Sequence, residues 1–127
     1  MMAKIRVGLV GLGEVAQVIH LPILQSYADL FEISALCDIS QELLSVLGER
    51  YSVPVPCRYL DYQELAGQEN LDAVFVLNSD EYHTDAALAA IQKGKHVLIE
   101  KPMCLTRQEA EAIIKARDEA GVQVMVG

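Results

Sequence analysis

Ile5-Arg6-Val7-Gly8-Leu9-Val10-Gly11-Leu12-Gly13-Glu14-Val15-Ala16 opens the chain with an apolar strand that runs directly into a glycine turn and the start of a helix. In the pattern Gly11-x-Gly13-x-x-Ala16 the first glycine permits the tight strand-to-helix turn. The second lets a pyrophosphate approach the backbone, and the small third residue allows close helix–strand packing. A pattern this short also serves packing alone, but its place between strand and helix favours a phosphate cradle. The whole turn, Gly11, Leu12, Gly13, Glu14, Val15 and Ala16, is the candidate diphosphate site, because first-turn N–H groups and the helix dipole attract anions.

Outward from this stretch, apolar runs alternate with helical patterns. Strands are expected near 4–10, 31–37, 54–57, 71–77, 95–99 and 122–126, and helices near 14–28, 40–50, 61–66, 83–93 and 106–120. Such alternation builds βαβ units and a parallel sheet, and the right-handed crossover rule makes 3-2-1-4-5-6 the natural strand order. The fold class is therefore α/β, a doubly wound parallel sheet of the Rossmann type, in one domain over 1–127. Ser40, Asp61 with Glu64, and Thr106 with Glu109 are read as helix caps, and Gly94 and Gly121 as helix ends. Pro22 inside the first helical pattern predicts a kink or break around His20-Leu21-Pro22.

In open α/β sheets ligands bind at the carboxyl ends of the strands, so residues there are read for chemistry. Asp38 ends the second strand about 20 residues past the glycine turn, the spacing for a carboxylate accepting adenosine ribose hydroxyls. It favours NAD over NADP, since a 2′-phosphate meets like charge and neither Ile39 nor Ser40 offsets it. Capping of the following helix is the alternative role. Asn78-Ser79-Asp80-Glu81-Tyr82-His83 follows the fourth strand, with Asn78 and Ser79 as candidate contacts to the nicotinamide end and His83, more often a helix-start residue than a catalytic base, included among the cofactor-binding candidates. Glu100-Lys101-Pro102 follows the fifth: Glu100 accepts a ribose hydroxyl, Lys101 polarises a carbonyl or holds a hydroxyl, and Pro102 fixes the loop. Isolated, Glu100-Lys101 is only a solvated charge pair.

Composition narrows the partners. Among 127 residues, 18 acidic and 10 basic side chains give a net charge of −8, a field that repels nucleic acid. No apolar run approaches the ~18 residues of a membrane span. Three cysteines, widely spaced, indicate neither a disulfide framework nor a zinc site, so reduced thiols and a cytoplasmic location are expected and no metal is assigned. The chain closes on the apolar run Val122-Gln123-Val124-Met125-Val126 with nothing after it, so truncation ahead of a second domain is expected, with self-association into a homo-oligomer a consequence of uncovered apolar surface.

Together these residues resemble the nucleotide-binding domain of the Gfo/Idh/MocA oxidoreductases. The resemblance rests on Val7 through Gly13, His20-Leu21-Pro22, Cys37-Asp38, His83 with Ala86-Ala87-Leu88, and above all Gly94-Lys95-His96-Val97-Leu98-Ile99-Glu100-Lys101-Pro102. It implies a pyrophosphate site at Gly11, Gly13 and Ala16, adenosine ribose at Asp38, and the nicotinamide ribose and substrate side at Glu100 and Lys101. It also implies hydride exchange at a carbinol or carbonyl carbon of a sugar or cyclitol, and a carboxyl-terminal substrate domain that this chain lacks. Relatives commonly carry Thr-Pro-Asn where this chain has Asn78-Ser79-Asp80, which puts that loop's contacts in question. A stand-alone NAD sensor without catalysis is the alternative. A methyltransferase binding S-adenosylmethionine is a further one, in which Glu100-Lys101-Pro102 has no role.

Overall fold

The computed structural model describes residues 3–127. Six strands, β1 (Ile5–Val10), β2 (Phe31–Cys37), β3 (Arg58–Tyr59), β4 (Ala73–Val76), β5 (His96–Ile99) and β6 (Val124–Val126), form one sheet in the order β3-β2-β1-β4-β5-β6. Every pairing is parallel, as the strand–helix alternation requires. The expected third strand at 54–57 is corrected: residues Val55–Cys57 form a 3-10 turn and the strand is the two residues after it. Pro54 and Pro56 lack the N–H a ladder needs, so pairing begins only beyond them.

Helices cover both faces. A π-helical turn (Ala16–His20) running into α1 (Leu21–Ser26), together with α2 (Gln41–Arg50), packs on one side; α3 (Tyr62–Ala66), α4 (His83–Gln92) and α5 (Arg107–Ala120) pack on the other. Strand β1 serves both cores by alternation: Val7 and Leu9 join Leu21, Leu36 and Leu44, while Val10 joins Leu65, Ile91 and Ile99. Burying a side chain such as Leu9 completely contributes roughly 1.5–3 kcal/mol, which is why β1 reads as apolar from Val7 to Val10, the stretch that is buried. No helix among the described residues is long and apolar enough to cross a membrane.

Local signals act largely as read. Ser40 Oγ accepts from Leu43 N, and Thr106 with Glu109 completes a capping box. Asp61 accepts from Gln63 N, the reciprocal half of a box from Glu64 not being formed. No break forms at Pro22: His20 and Leu21 keep helical φ/ψ, and the expected irregularity takes the form of a π turn, closed by Leu21 N–H donating to Ala16 O, that runs directly into α1.

A register shift between β1 and β2 sets the rim. Val7 faces Ile33 but Gly8 faces Ala35, so Ser34 is an extra residue on β2, its hydroxyl held by the Glu32 carboxylate. Cys37 thereby pairs with Val10, its carbonyl accepts from Gly11 N at 2.8 Å, and Asp38 arrives beside the glycine turn.

Candidate cofactor cleft

Gly11 turns with φ +96°, and a Cβ there would stand 2.5 Å from Asn78 N and 2.6 Å from Asn78 Cα. Only glycine lets β1 leave the sheet this close to the loop after β4. Gly13 is the opposite case: a Cβ on it meets nothing within 4 Å, because the residue faces the open cleft. Gly13, Glu14 and Val15 lead the helix, and its first N–H groups have no intrahelical acceptor, leaving donors for an anion. Ala16 is fully buried against the sheet, as the small third position demands.

Leu12 departs from the expectation that it contacts a diphosphate. Its side chain is fully buried in the core, and its N–H donates to Asp38 Oδ2 at 2.7 Å. Asp38 Oδ1 accepts from Ser40 N at 2.8 Å. The carboxylate therefore fastens the glycine turn to the β2–α2 turn, and Ser40 rather than Asp38 caps α2. Each oxygen keeps a further lone pair for a hydroxyl.

A cavity of about 580 Å3 lies over this turn, lined by Gly11, Gly13, Asp38, Ile39, Asn78 and Tyr82 among others. Its volume is that of a small-molecule site. Asn78 Oδ1 is buried and has no hydrogen-bond partner, an acceptor that a ligand donor would satisfy. Ser79 also lines the cavity, which brings together the β1, β2 and β4 residues read from sequence. Tyr82, from the segment after β4 read above, lines it as well, and Leu60, Tyr62 at the start of α3 and Leu77 complete the walls; these three were not foreseen, as none carries a charged or ligating group. Cys37 on the floor has its thiol pushed up to about 12, by burial first and then by the charges of Asp38, Asp61 and Glu64, so it stays protonated and inert.

His83 is corrected from a cofactor contact. It opens α4 as expected but is 1% exposed, with Nδ1 2.7 Å from Pro102 O and Nε2 2.8 Å from Asn78 O. The two ring nitrogens face carbonyl oxygens from two different loops, so the ring sits between the β4 loop and the β5 loop from beneath. The Lys101–Pro102 bond is cis. Glu100 N–H donates to Val76 O and Lys101 N–H to Gly127 O, anchoring the turn between β4 and β6. Lys101 itself is exposed and enters no ion pair among the described residues. Glu100 meets His20, Nε2 to Oε2 3.3 Å, a contact across 80 positions that no motif announces.

Asp38 and Glu100-Lys101 thus follow β2 and β5 on one rim, separated by β1 and β4. At ~4.8 Å per strand that is roughly 14–15 Å. A parallel doubly wound sheet with a glycine turn at its switch point and a carboxylate beside it defines a dinucleotide-binding Rossmann domain. Comparison with known proteins agrees. The profile of the Gfo/Idh/MocA oxidoreductases, described as an oxidoreductase family with an NAD-binding Rossmann fold, matches residues 5–127, and the chain belongs to that family. It is 30% identical to myo-inositol 2-dehydrogenase of Thermotoga maritima, covering 96% of this chain and 35% of that protein. It is 28% identical to inositol 2-dehydrogenase of Salmonella typhimurium, covering 95% and 35%. The WlbA dehydrogenase of Bordetella pertussis, solved with NADH and UDP-GlcNAcA, superposes with a TM-score of 0.90 at 30% identity, covering 98% of this chain and 37% of that one. The chain spans about a third of the length of these relatives.

Proposed function

We propose that this chain is the NAD-binding half of a dehydrogenase acting on a sugar, cyclitol or related polyol. The observation that carries the reading is the shared rim: Gly13 open to the cleft, Asp38 on one side and Glu100-Lys101 on the other. The residues fit the cofactor. N–H groups at Gly13 to Val15 would take the diphosphate, Asp38 the adenosine ribose, Ile39, Leu60 and Tyr82 the adenine, and Glu100 the second ribose. When bound, the nicotinamide supplies a hydride acceptor or donor. Lys101 would hold the substrate oxygen next to it. The carboxylate of Asp38 and the uncharged Ile39 beside it favour NAD over NADP.

The substrate class is supported by the inositol dehydrogenases among the relatives. Because Lys101 is exposed and enters no ion pair among the described residues, we assign substrate positioning to a further domain of the whole protein, and expect the chain alone to bind cofactor without turnover. Calorimetric titration with NADH and NADPH tests this. NADH should bind and NADPH should bind more weakly. A folded sample that takes up neither refutes the assignment, and a preference for NADPH refutes the role of Asp38.

A further inference from the structure

His20 lies at the end of the π-helical turn, where the chain makes one wider turn before α1. An extra residue per turn swings the following position by roughly 100° relative to a regular helix, so a side chain that regular winding would point elsewhere reaches the rim. The imidazole stands edge-on to Phe75 of β4, ring centroids 5.6 Å apart and planes at 83°. Its Nε2 is 3.3 Å from Glu100 Oε2, and the two side chains are only 15% and 21% exposed. An ionised carboxylate only accepts hydrogen bonds, so the nitrogen facing it carries the proton. Glu100 is the sole acid in ion-pair reach of His20 among the described residues.

We propose that His20 is a positioning residue for Glu100. By engaging Oε2 it fixes the carboxylate so that Oε1 is presented to a hydroxyl of the second ribose of the dinucleotide. The proposal rests on the cofactor reading above and adds to it a residue from a different element. Phe75 holds the ring, the ring holds the carboxylate, and a glutamate otherwise free to sample several rotamers is ordered before the ligand arrives. Ordering in advance removes an entropic cost from binding.

The test compares ADP, which ends at the diphosphate, with ADP-ribose, which adds the second ribose, by calorimetry on the purified chain. His20→Phe keeps an aromatic ring against Phe75 and removes the donor; His20→Gln restores an N–H. The expected result is that H20F leaves ADP affinity within about twofold and weakens ADP-ribose by about five- to tenfold, the value of one hydrogen bond. H20Q should recover most of that loss. Glu100→Ala should weaken ADP-ribose as well, and adding H20F to it should cause no further loss. Equal losses for ADP and ADP-ribose in H20F would reveal a general packing effect and overturn the proposal. Unchanged ADP-ribose affinity in H20F would overturn it while leaving the cofactor reading intact. A native chain that binds neither ligand would remove the cofactor reading and this proposal with it.

Discussion

The carboxylate of Asp38 receives the backbone N–H of Leu12 at 2.7 Å, so the tip of β2 and the glycine turn after β1 are one fastened unit. Asp38 therefore has two duties, and its removal should show both. Asp38→Ala is expected to lower stability by about 1–2 kcal/mol through the orphaned Leu12 N–H and to weaken NADH by roughly 1–3 kcal/mol. Urea unfolding and calorimetry separate the effects. A loss of stability with unchanged NADH affinity would leave Asp38 the fastening duty alone.

The two glycines of the turn should respond oppositely to the same change. Gly11→Ala forces a Cβ against Asn78 backbone at positive φ and should cost at least about 2 kcal/mol of stability. Gly13→Ala has open space for its methyl and should unfold within about 0.5 kcal/mol of the native chain. That methyl occupies the diphosphate path, so NADH affinity should still fall at least about tenfold. A Gly13→Ala chain that binds NADH normally would place the diphosphate elsewhere.

Burying His83 under two carbonyls makes it a structural tie. His83→Ala should destabilise the chain by about 2–4 kcal/mol, because the ring's contacts with Asn78 O and Pro102 O are lost and a cavity opens. Denaturant melts check this, and a change below about 0.5 kcal/mol would show that the loops hold together without it.

Acid should weaken the far end of the sheet through Asp72. The Arg6 side chain, then the Arg6 N–H, hold its carboxyl down from 3.8 to about 2. A carboxylate with a lowered folded value stabilises fully above its unfolded value, and the contribution vanishes as pH falls through the folded one. The native chain should therefore lose more stability between about pH 4 and pH 2 than Asp72→Asn, followed by urea midpoints. Parallel pH profiles for the two chains would show that the forked pair is screened by solvent.

Strand order, the glycine turn and the rim carboxylates were legible in the sequence because each leaves a local mark. Strands covered on both faces read as mainly apolar runs, and Gly11, Asp38 and Glu100 sit where such runs stop. What stayed hidden is pairwise and long-range. Nothing near Leu12 signals that its amide is taken by Asp38, and nothing near His20 signals Glu100. Helical periodicity assumes regular winding, so the π turn that aims His20 leaves no trace in it. Strand β3 was misplaced because two paired residues at a sheet edge are too few to generate a pattern.

That short margin matters beyond secondary structure. The β3 flank of the sheet is two residues long. A neighbouring molecule trying to add a strand there finds little free backbone to grip, which works against fibril-like growth from that side even though the strands further in are the kind that would sustain it.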